Sequence, residues 1–337
     1  MPAGLEAGGG TMTAMADFSP WQQRAYAHAA AALDSGRLGH ALLVCGPAQL
    51  GKRAVVERLA RRALCRTPLG DGEPCGHCRS CQLFAAGTHP DYDVVSFVMN
   101  KEGTRLRTEI VIEQMRALSA RFALTAQYGG AQVVVVDPAD AVNHHAFNAL
   151  LKTLEEPQAG RYLWLVSTEP ARLPATIRSR CQKLEFRLPP REEALAWLRS
   201  RGHAEPSALE ALDAARGHPG LADAWLREGG LELRRGVTED LGRLARGDAS
   251  PAETAQRWAA DEHASLRLRF AADHALGQAG SLTDARRTRT LATWFDAANR
   301  TRALLRTTIR ADLAIAELLL SWQAQAASAV AAERQRT

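Results

Sequence analysis

The sequence lacks the features that would carry it into or across a membrane. No apolar run reaches the roughly 18 residues that a transmembrane helix needs. The opening segment, MPAGLEAGGGTMTAMADFSPW, also lacks the basic start and apolar centre of a secretion signal. We therefore interpret residues 1–16 as a flexible leader, with Met12 and Met15 as alternative start positions, and expect a cytoplasmic protein.

A large excess of one charge is absent as well. The 337 residues include 42 Lys and Arg against 37 Asp and Glu, which gives a formal net charge of +5. We interpret the basic residues as strewn among acidic ones, on a solvated surface of mixed charge. This composition permits contact with nucleic acid but does not by itself predict it.

Four short apolar runs rich in β-branched residues predict strands that are covered on both faces. They lie at residues 41–45, 92–98, 132–137 and 162–168. Helical patterns alternate with them, at residues 53–64, 109–124 and 143–156. This alternation predicts an α/β fold with a parallel sheet.

The composition changes near the middle of the chain. Pro189 and Pro190 break the chain, and the remainder carries amphipathic helical patterns without another strand-like run. We therefore predict an α/β core at residues 17–187, a small helical domain at residues 188–228 and an all-helical domain at residues 229–337.

Four of the six cysteines are clustered, and their spacing predicts one metal site. They are Cys65, Cys75, Cys78 and Cys81. Four thiolates at this spacing can surround one Zn²⁺ ion tetrahedrally. Because four sulfur ligands leave no open coordination position, we expect a structural metal that holds together a cysteine module at residues 65–81.

The cysteines also have other interpretations. His77 is a competing ligand, although it lies between two of the cysteines and is not needed if all four bind. A disulfide is a weaker interpretation, because disulfides are rare in cytoplasmic proteins. Cys45 and Cys181 stand alone and are predicted to be small, buried, apolar side chains.

The segment GPAQLGKR at residues 46–53, here called the glycine loop, follows a predicted strand and precedes a predicted helix. In the nucleotide-binding pattern GxxxxGK[ST], the lysine reaches the terminal phosphates and the final hydroxyl ligates Mg²⁺. Gly46, Gly51 and Lys52 fit this pattern, but Arg53 occupies the hydroxyl position. Since arginine cannot coordinate Mg²⁺, the loop keeps a phosphate-binding pattern without a metal ligand.

A second nucleotide-site element is also incomplete. The strand at residues 132–137 ends in Asp137, which could hold a metal, but Pro138 stands where a glutamate would polarise the attacking water. Asp140 lies three residues further on and is expected to point elsewhere. These two losses argue against ATP hydrolysis, whereas the retained Lys52 leaves weak phosphate binding open.

These elements occur together with NALLKTLEEP at residues 148–157 and TEPARLPATIRSRC at residues 168–181. With these segments, and with the cysteine module inserted after the first helix, the chain resembles the clamp-loader branch of the AAA+ ATPases. The resemblance begins near Phe18 and is most specific over residues 132–181. In the last predicted domain it rests on helical character and length alone.

The resemblance implies a AAA+ α/β core with an inserted zinc module, a helical lid and a C-terminal helical collar that joins five subunits. It implies a complex that uses ATP to open a sliding clamp and set it on primed DNA. The loss of these catalytic residues is similar to the loss found in a non-hydrolysing subunit of the bacterial DNA polymerase III clamp loader. The implied partners are gamma/tau-type ATPase subunits, a delta subunit, the clamp and primed DNA.

In that family a Ser-Arg-Cys motif supplies an arginine to the ATP site of the adjacent subunit. The motif stands here as Ser179, Arg180 and Cys181, so the resemblance assigns Arg180 the role of an arginine finger acting in trans. Arg178 is the nearest alternative.

The lid departs from the family's active ATPases. They carry an arginine near G-x-x-R, where the RGHPG motif of this chain has Pro219 and Gly220. Thr168 falls where the family places a polar residue that senses the γ-phosphate. Without a metal ligand beneath it, we expect Thr168 to make a hydrogen bond at the end of its strand.

Two alternative functions stay open. One is an active ATPase subunit of the same complex, which turnover by the isolated chain would indicate. The other is a zinc-dependent DNA-binding protein with a vestigial AAA+ core, which tight, salt-sensitive DNA binding without partners would indicate. The cysteine module disfavours the second, since it offers only Arg66 and Arg79 and few aromatic residues. We expect the chain itself to have neither polymerase nor ATPase activity.

Overall fold

The computed structural model divides the chain after Asp223 into two units. It describes residues 18–100, 102–128, 130–156, 158–280, 284–305 and 307–334. The expected leader at residues 1–16 lies outside the described residues. The finer division into core, lid and collar stays a prediction.

The first unit is built around a five-stranded parallel sheet. The strands are β1 (Ala41–Cys45), β2 (Tyr92–Val95), β3 (Gln132–Val136), β4 (Arg161–Ser167) and β5 (Gln182–Glu185). Their spatial order is β2-β3-β4-β1-β5, and each neighbouring pair is parallel. The predicted α/β class is therefore confirmed. The sequence reasoning missed β5, in which only Leu184 is buried.

The helices of the first unit alternate with these strands and then follow them. They are α1 (Pro20–Asp34), α2 (Lys52–Leu64), α3 (Arg79–Ala85), α4 (Ile112–Phe122), α5 (His144–Glu155), α6 (Ala175–Arg178), α7 (Arg191–Ser200) and α8 (Glu205–Ala214). The next helix, α9 (Pro219–Arg227), includes the division between the two units.

Apolar side chains cover both faces of the sheet because successive strand residues point to opposite sides. On one face, Leu43 packs in a cluster that includes Phe147 of α5. On the other face, Leu42 and Trp164 pack in a cluster that includes Leu59 of α2. Burial on both faces explains why the strand sequences are apolar without alternation.

The second unit contains helices and no strand among its described residues. Its remaining helices are α10 (Gly230–Arg246), α11 (Pro251–Ala259), α12 (Ala264–Gly280), α13 (Ala285–Leu304) and α14 (Ala311–Arg334). Buried Trp258, Trp294 and Trp322 donate their indole N–H groups to Asp240, to the Leu318 carbonyl and to the Leu241 carbonyl, respectively. These bonds satisfy the only polar group of each ring inside an apolar core.

None of the described helices is both long enough and apolar enough to span a membrane.

Candidate functional site

The glycine loop connects β1 to α2, and two of its glycines are required by the backbone. Gly46 has a φ of 135°, and a Cβ there would lie 2.2 Å from the Phe186 carbonyl oxygen. Gly51 has a φ of 78° and is the N-cap of α2. The loop therefore has the strand–turn–helix context that the sequence predicts.

Lys52 turns back onto its own loop. Its Nζ donates hydrogen bonds to the carbonyl oxygens of Gly46, at 2.8 Å, and Pro47, at 2.7 Å. The residue is only 5% exposed. Burial lowers the pKa of Lys52, against the opposing effect of the Asp137 and Asp140 carboxylates. The ammonium that would meet a terminal phosphate is thus bonded within the loop.

Arg53 joins the glycine loop to the end of β3. Its Nη1 lies 2.9 Å from Asp137 Oδ2, and its Nε lies 2.7 Å from Glu57 Oε1. Asp137 is the carboxylate that the sequence assigns to a metal. The guanidinium gives it a cationic partner belonging to the chain itself, so Arg53, which stands at the hydroxyl position of the pattern, is paired with the retained carboxylate of Asp137.

Thr168 and Asp140 are bonded to each other. Asp140 accepts hydrogen bonds from the Thr168 backbone N–H, at 2.9 Å, and from its hydroxyl, at 3.2 Å. Burial acts to raise the pKa of Asp140, but hydrogen bonds to the carboxylate, foremost that from the Thr168 backbone N–H, outweigh it, so the pKa lies below its usual range. The prediction that Thr168 makes a strand-end hydrogen bond is confirmed.

Helix α9 approaches the glycine loop closely at Gly220. A Cβ at this position would lie 1.9 Å from the Gln49 carbonyl oxygen. No side chain fits there, so glycine at position 220 permits backbone packing where the resemblance expects a lid arginine.

Helix α1 closes the loop from another side. The Trp21 indole N–H donates to the Leu50 carbonyl at 3.1 Å, and the Gln22 amide donates to the Gly51 carbonyl at 3.2 Å. Sequence reasoning missed these contacts because 29 residues separate the partners.

Arg180 lies on the surface just after α6, between Ser179, the C-cap of that helix, and buried Cys181. Its Nη2 lies 2.7 Å from Glu155 Oε1, and its Nη1 donates to the Thr176 carbonyl at 2.9 Å. The side chain is 36% exposed. Within the motif, Cys181 is therefore buried in the core, whereas Arg180 lies at the surface.

The neighbouring residues have different environments. Arg178 is half-buried, and its Nε is buried without a hydrogen-bond partner among the described residues. Burial raises the pKa of Cys181 to about 11. Cys45 is buried as well, so the prediction that both lone cysteines are buried is confirmed. Within the described chain, no hydrogen bond or ion pair links Arg180 to the glycine loop.

The four clustered cysteines converge, and their Sγ atoms all lie within 4.8 Å of one another. The Sγ of Cys75 lies 3.7 Å from that of Cys65 and 4.0 Å from that of Cys81. Four sulfurs arranged tetrahedrally at a zinc–sulfur distance of about 2.3 Å would be roughly 3.8 Å apart. The group can therefore hold a metal ion, and its dimensions fit Zn²⁺.

Hydrogen bonds within the chain also hold the cysteine sulfur atoms in position. The backbone N–H groups of Cys75 and Cys78 each donate to the preceding cysteine of the cluster at 3.3 Å. The Thr67 hydroxyl donates to Cys75 Sγ, and this bond helps lower the pKa of Cys75 to about 5. His77 Nδ1 instead lies 2.8 Å from the Cys75 carbonyl oxygen, outside the sulfur cluster.

A polar network fastens the cysteine module to α1 and α2. Buried Arg62 pairs with Asp34 at 2.5 Å and with Glu73 at 2.8 Å. Glu73 also accepts a hydrogen bond from Tyr26 at 2.6 Å and pairs with Arg58 at 3.0 Å. Sequence reasoning missed this network, since nothing in the local pattern connects Tyr26 with Glu73, 47 residues away.

Comparison with known proteins gives one consistent family. A family model described as DNA polymerase III, delta subunit, matches residues 21–190. DNA polymerase III subunit delta' of Pseudomonas aeruginosa is 41% identical over 248 residues, or 72% of each chain. The Escherichia coli protein of the same name is 36% identical over 66% of this chain and 65% of its own length. DNA polymerase III subunit gamma/tau of Mycobacterium bovis is 36% identical over 50% of this chain and 28% of its own length.

The sulfur geometry predicts one bound metal ion per chain. Native mass spectrometry should detect one Zn²⁺, and Cys78→Ser should lose the metal and melt at a lower temperature, because zinc binding to such a module contributes folding free energy. His77→Ala is the matched control and should retain the metal. Loss of zinc from His77→Ala would contradict the four-cysteine ligand set.

The closed glycine loop predicts that millimolar ATP with Mg²⁺ leaves the melting temperature of the isolated chain unchanged. A ligand present at 100 times its Kd would add about 2.7 kcal/mol to the free energy of unfolding. Differential scanning fluorimetry with and without Mg²⁺ makes the measurement. A Mg²⁺-dependent rise that disappears in Lys52→Ala, but not in Lys183→Ala on the surface, would show that the loop binds nucleotide.

Proposed function

Because the chain belongs to the delta-prime family of DNA polymerase III subunits, we propose that it is a non-hydrolysing subunit of the bacterial clamp loader. In this role it supplies Arg180 to the ATP site of a neighbouring ATPase subunit. It also helps scaffold the complex that loads the sliding clamp on primed DNA. The observation that carries the proposal is the Arg53–Asp137 ion pair, which fills the chain's own metal position with a side chain.

Three separate contacts oppose nucleotide use in this chain's own loop. Mg²⁺-ATP would have to release Lys52 from two carbonyl groups and separate Arg53 from Asp137. Gly220, packed against the Gln49 carbonyl, has no side chain with which to contact a phosphate. Even then, Pro138 offers no general base. These contacts support a subunit that keeps the AAA+ shape without the ATPase cycle.

Arg180 has the exposure and geometry that a finger acting in trans requires. Its guanidinium is held by Glu155 and by the Thr176 carbonyl rather than lying free in solvent. A γ-phosphate presented by a neighbouring subunit could replace the Glu155 carboxylate, since both anions suit the planar fork of arginine. Neutralising transition-state charge in this way is typically worth about 10³–10⁵ in rate.

The cysteine module serves as a structural element in this proposal. A Zn²⁺ ion bound by Cys65, Cys75, Cys78 and Cys81 would close the module, and the Arg62–Glu73 network fastens it to the core. The ion would supply no chemistry, because four protein ligands leave no position for water or substrate.

Assembly is assigned to the second unit. We propose residues 17–187 as the AAA+ core, 188–228 as the lid and 229–337 as the collar.

On α14, Ile315 and Trp322 are buried, whereas Leu313 and Leu320 are 58% and 55% exposed on the opposite side. A helix that is apolar on both sides favours a covering partner.

The partners in this proposal are gamma/tau-type ATPase subunits and a delta subunit in a cytoplasmic hetero-oligomer. The sliding clamp and primed DNA are reached through the complex. ATP is bound and hydrolysed at neighbouring subunits.

Arg180→Ala should lower DNA- and clamp-stimulated ATP hydrolysis by the reconstituted complex tenfold or more. This corresponds to a barrier higher by at least about 1.4 kcal/mol, because the neighbouring ATP site loses a cation in its transition state. The measurement is steady-state turnover by complexes of equal subunit and zinc content.

Two substitutions near the finger serve as controls. Arg172→Ala removes an exposed arginine paired with Glu169 and should leave turnover unchanged. Glu155→Gln removes the carboxylate that holds Arg180 and should not reproduce the loss. If Arg180→Ala leaves the rate unchanged, the finger assignment is wrong, and Arg178→Ala becomes the next variant to measure.

The α14 surface yields a separate prediction about assembly. Leu313→Glu with Leu320→Glu should prevent co-elution with the ATPase subunits on size exclusion while the isolated chain keeps its melting temperature, because both side chains already face solvent. Leu276→Glu on α12, also exposed, is the matched control and should assemble normally. Normal assembly of the double variant would place the contact elsewhere.

A further inference from the structure

The outward face of α13 concentrates positive charge that the proposed function does not use. Residues 285–310 contain seven arginines and one acidic residue, Asp296. The whole-chain net charge of +5 conceals this tract, because acidic residues elsewhere offset it.

Three of these arginines share one exposed face of the helix. At 100° per residue, Arg286, Arg289 and Arg300 lie within an arc of about 60°, and they extend over about 21 Å of the helix axis. All three are exposed, whereas Leu291, on the opposite side, and Trp294, on an adjacent side, are buried. We call these three residues the arginine face of α13.

None of the three arginines of this face forms an ion pair among the described residues. Among the described residues, no carboxylate lies within ion-pair distance of any of its three guanidinium groups. Other arginines of the same unit are paired, for example Arg246 with Asp248 and Arg267 with Asp261. Guanidinium groups left without a partner on one surface are available to an external anion.

Helix stability does not account for these arginines. Arg286 and Arg289 lie in the first two turns of α13, at the positive end of the helix dipole, where acidic residues are favoured. Asp284 caps this end by accepting hydrogen bonds from backbone N–H groups, including that of Arg286. The dipole therefore disfavours Arg286 and gives no reason for an arginine at position 289.

We propose that the arginine face of α13 binds the phosphate backbone of DNA, without reading its sequence. Guanidinium groups suit phosphate oxygens, and duplex DNA carries one charge per roughly 1.7 Å of axis, so phosphates are available along the full length of the face. Between Arg286 and Arg300, the described face carries Thr293 and Asp296 but no large exposed apolar side chain. It thus lacks the apolar anchor typical of a protein interface.

This contact would give the chain a DNA site of its own, beyond the arginine supplied in trans and beyond assembly. Phosphate contacts fix position without carrying sequence information. The arginine face would therefore hold DNA of any sequence against the second unit.

The test compares two triple variants of the full, zinc-containing chain by fluorescence anisotropy with a fluorescein-labelled primer–template duplex. Arg286→Gln, Arg289→Gln and Arg300→Gln together should weaken binding at least tenfold at low salt. They should also reduce the slope of log K against log salt by about 2 to 3, since each phosphate contact contributes about 0.9. Because all three side chains are exposed and form no ion pair, their replacement should not lower the melting temperature.

The control variant removes the same charge elsewhere, through Arg187→Gln, Arg243→Gln and Arg246→Gln, and should bind like the wild type. Equal weakening of both variants would overturn the proposal in favour of diffuse attraction. Absence of wild-type binding at low salt would overturn it too, and so would competition by poly-glutamate as effective as that by unlabelled duplex. Co-elution with the ATPase subunits, measured separately, distinguishes failure of this site from failure of the proposed function.

Discussion

The ion pair between Arg53 and Asp137 places a fixed positive charge where a loop of this pattern would use a magnesium ion. A bound cation leaves with its nucleotide, whereas a guanidinium on α2 stays attached. The carboxylate at the end of β3 is therefore compensated at all times. Lys52, bonded to the loop carbonyls, is satisfied in the same internal way. The loop thus resembles a nucleotide site whose ligands have been replaced by its own side chains.

The surrounding contacts are consistent with such a self-contained loop. Gly220 brings α9 against Gln49, and Trp21 and Gln22 bind the next two carbonyl groups. Together they fix the backbone of the loop from two sides without any contribution from a nucleotide. In the proposed role this is an advantage, because a subunit that does not change with ATP can hold Arg180 in a constant position for its neighbour.

Much of this arrangement could be predicted from local sequence. Runs such as 132–137 indicate buried parallel strands because both faces are covered, and the cysteine spacing indicates a single metal group because four sulfurs can converge. The glycine loop was recognisable because its strand, turn and helix are contiguous. β5 was missed, since a strand at the edge of the sheet with one buried residue carries little apolar signal.

Contacts between distant segments could not be predicted. The Glu155–Arg180 pair, the Tyr26–Glu73 bond and the approach of Gly220 to Gln49 depend on how the sheet brings separate segments together. Composition also concealed the arginine face of α13, because a whole-chain charge averages over a local excess.

The most direct test of the central claim is a cryo-EM reconstruction of the assembled clamp loader with a non-hydrolysable ATP analogue. We expect Arg180 to lie within hydrogen-bond distance of a γ-phosphate bound by the adjacent subunit, with Arg53 still paired to Asp137 and no nucleotide at the glycine loop. Nucleotide bound at residues 46–53, or Arg180 still paired with Glu155 and remote from every phosphate, would contradict it.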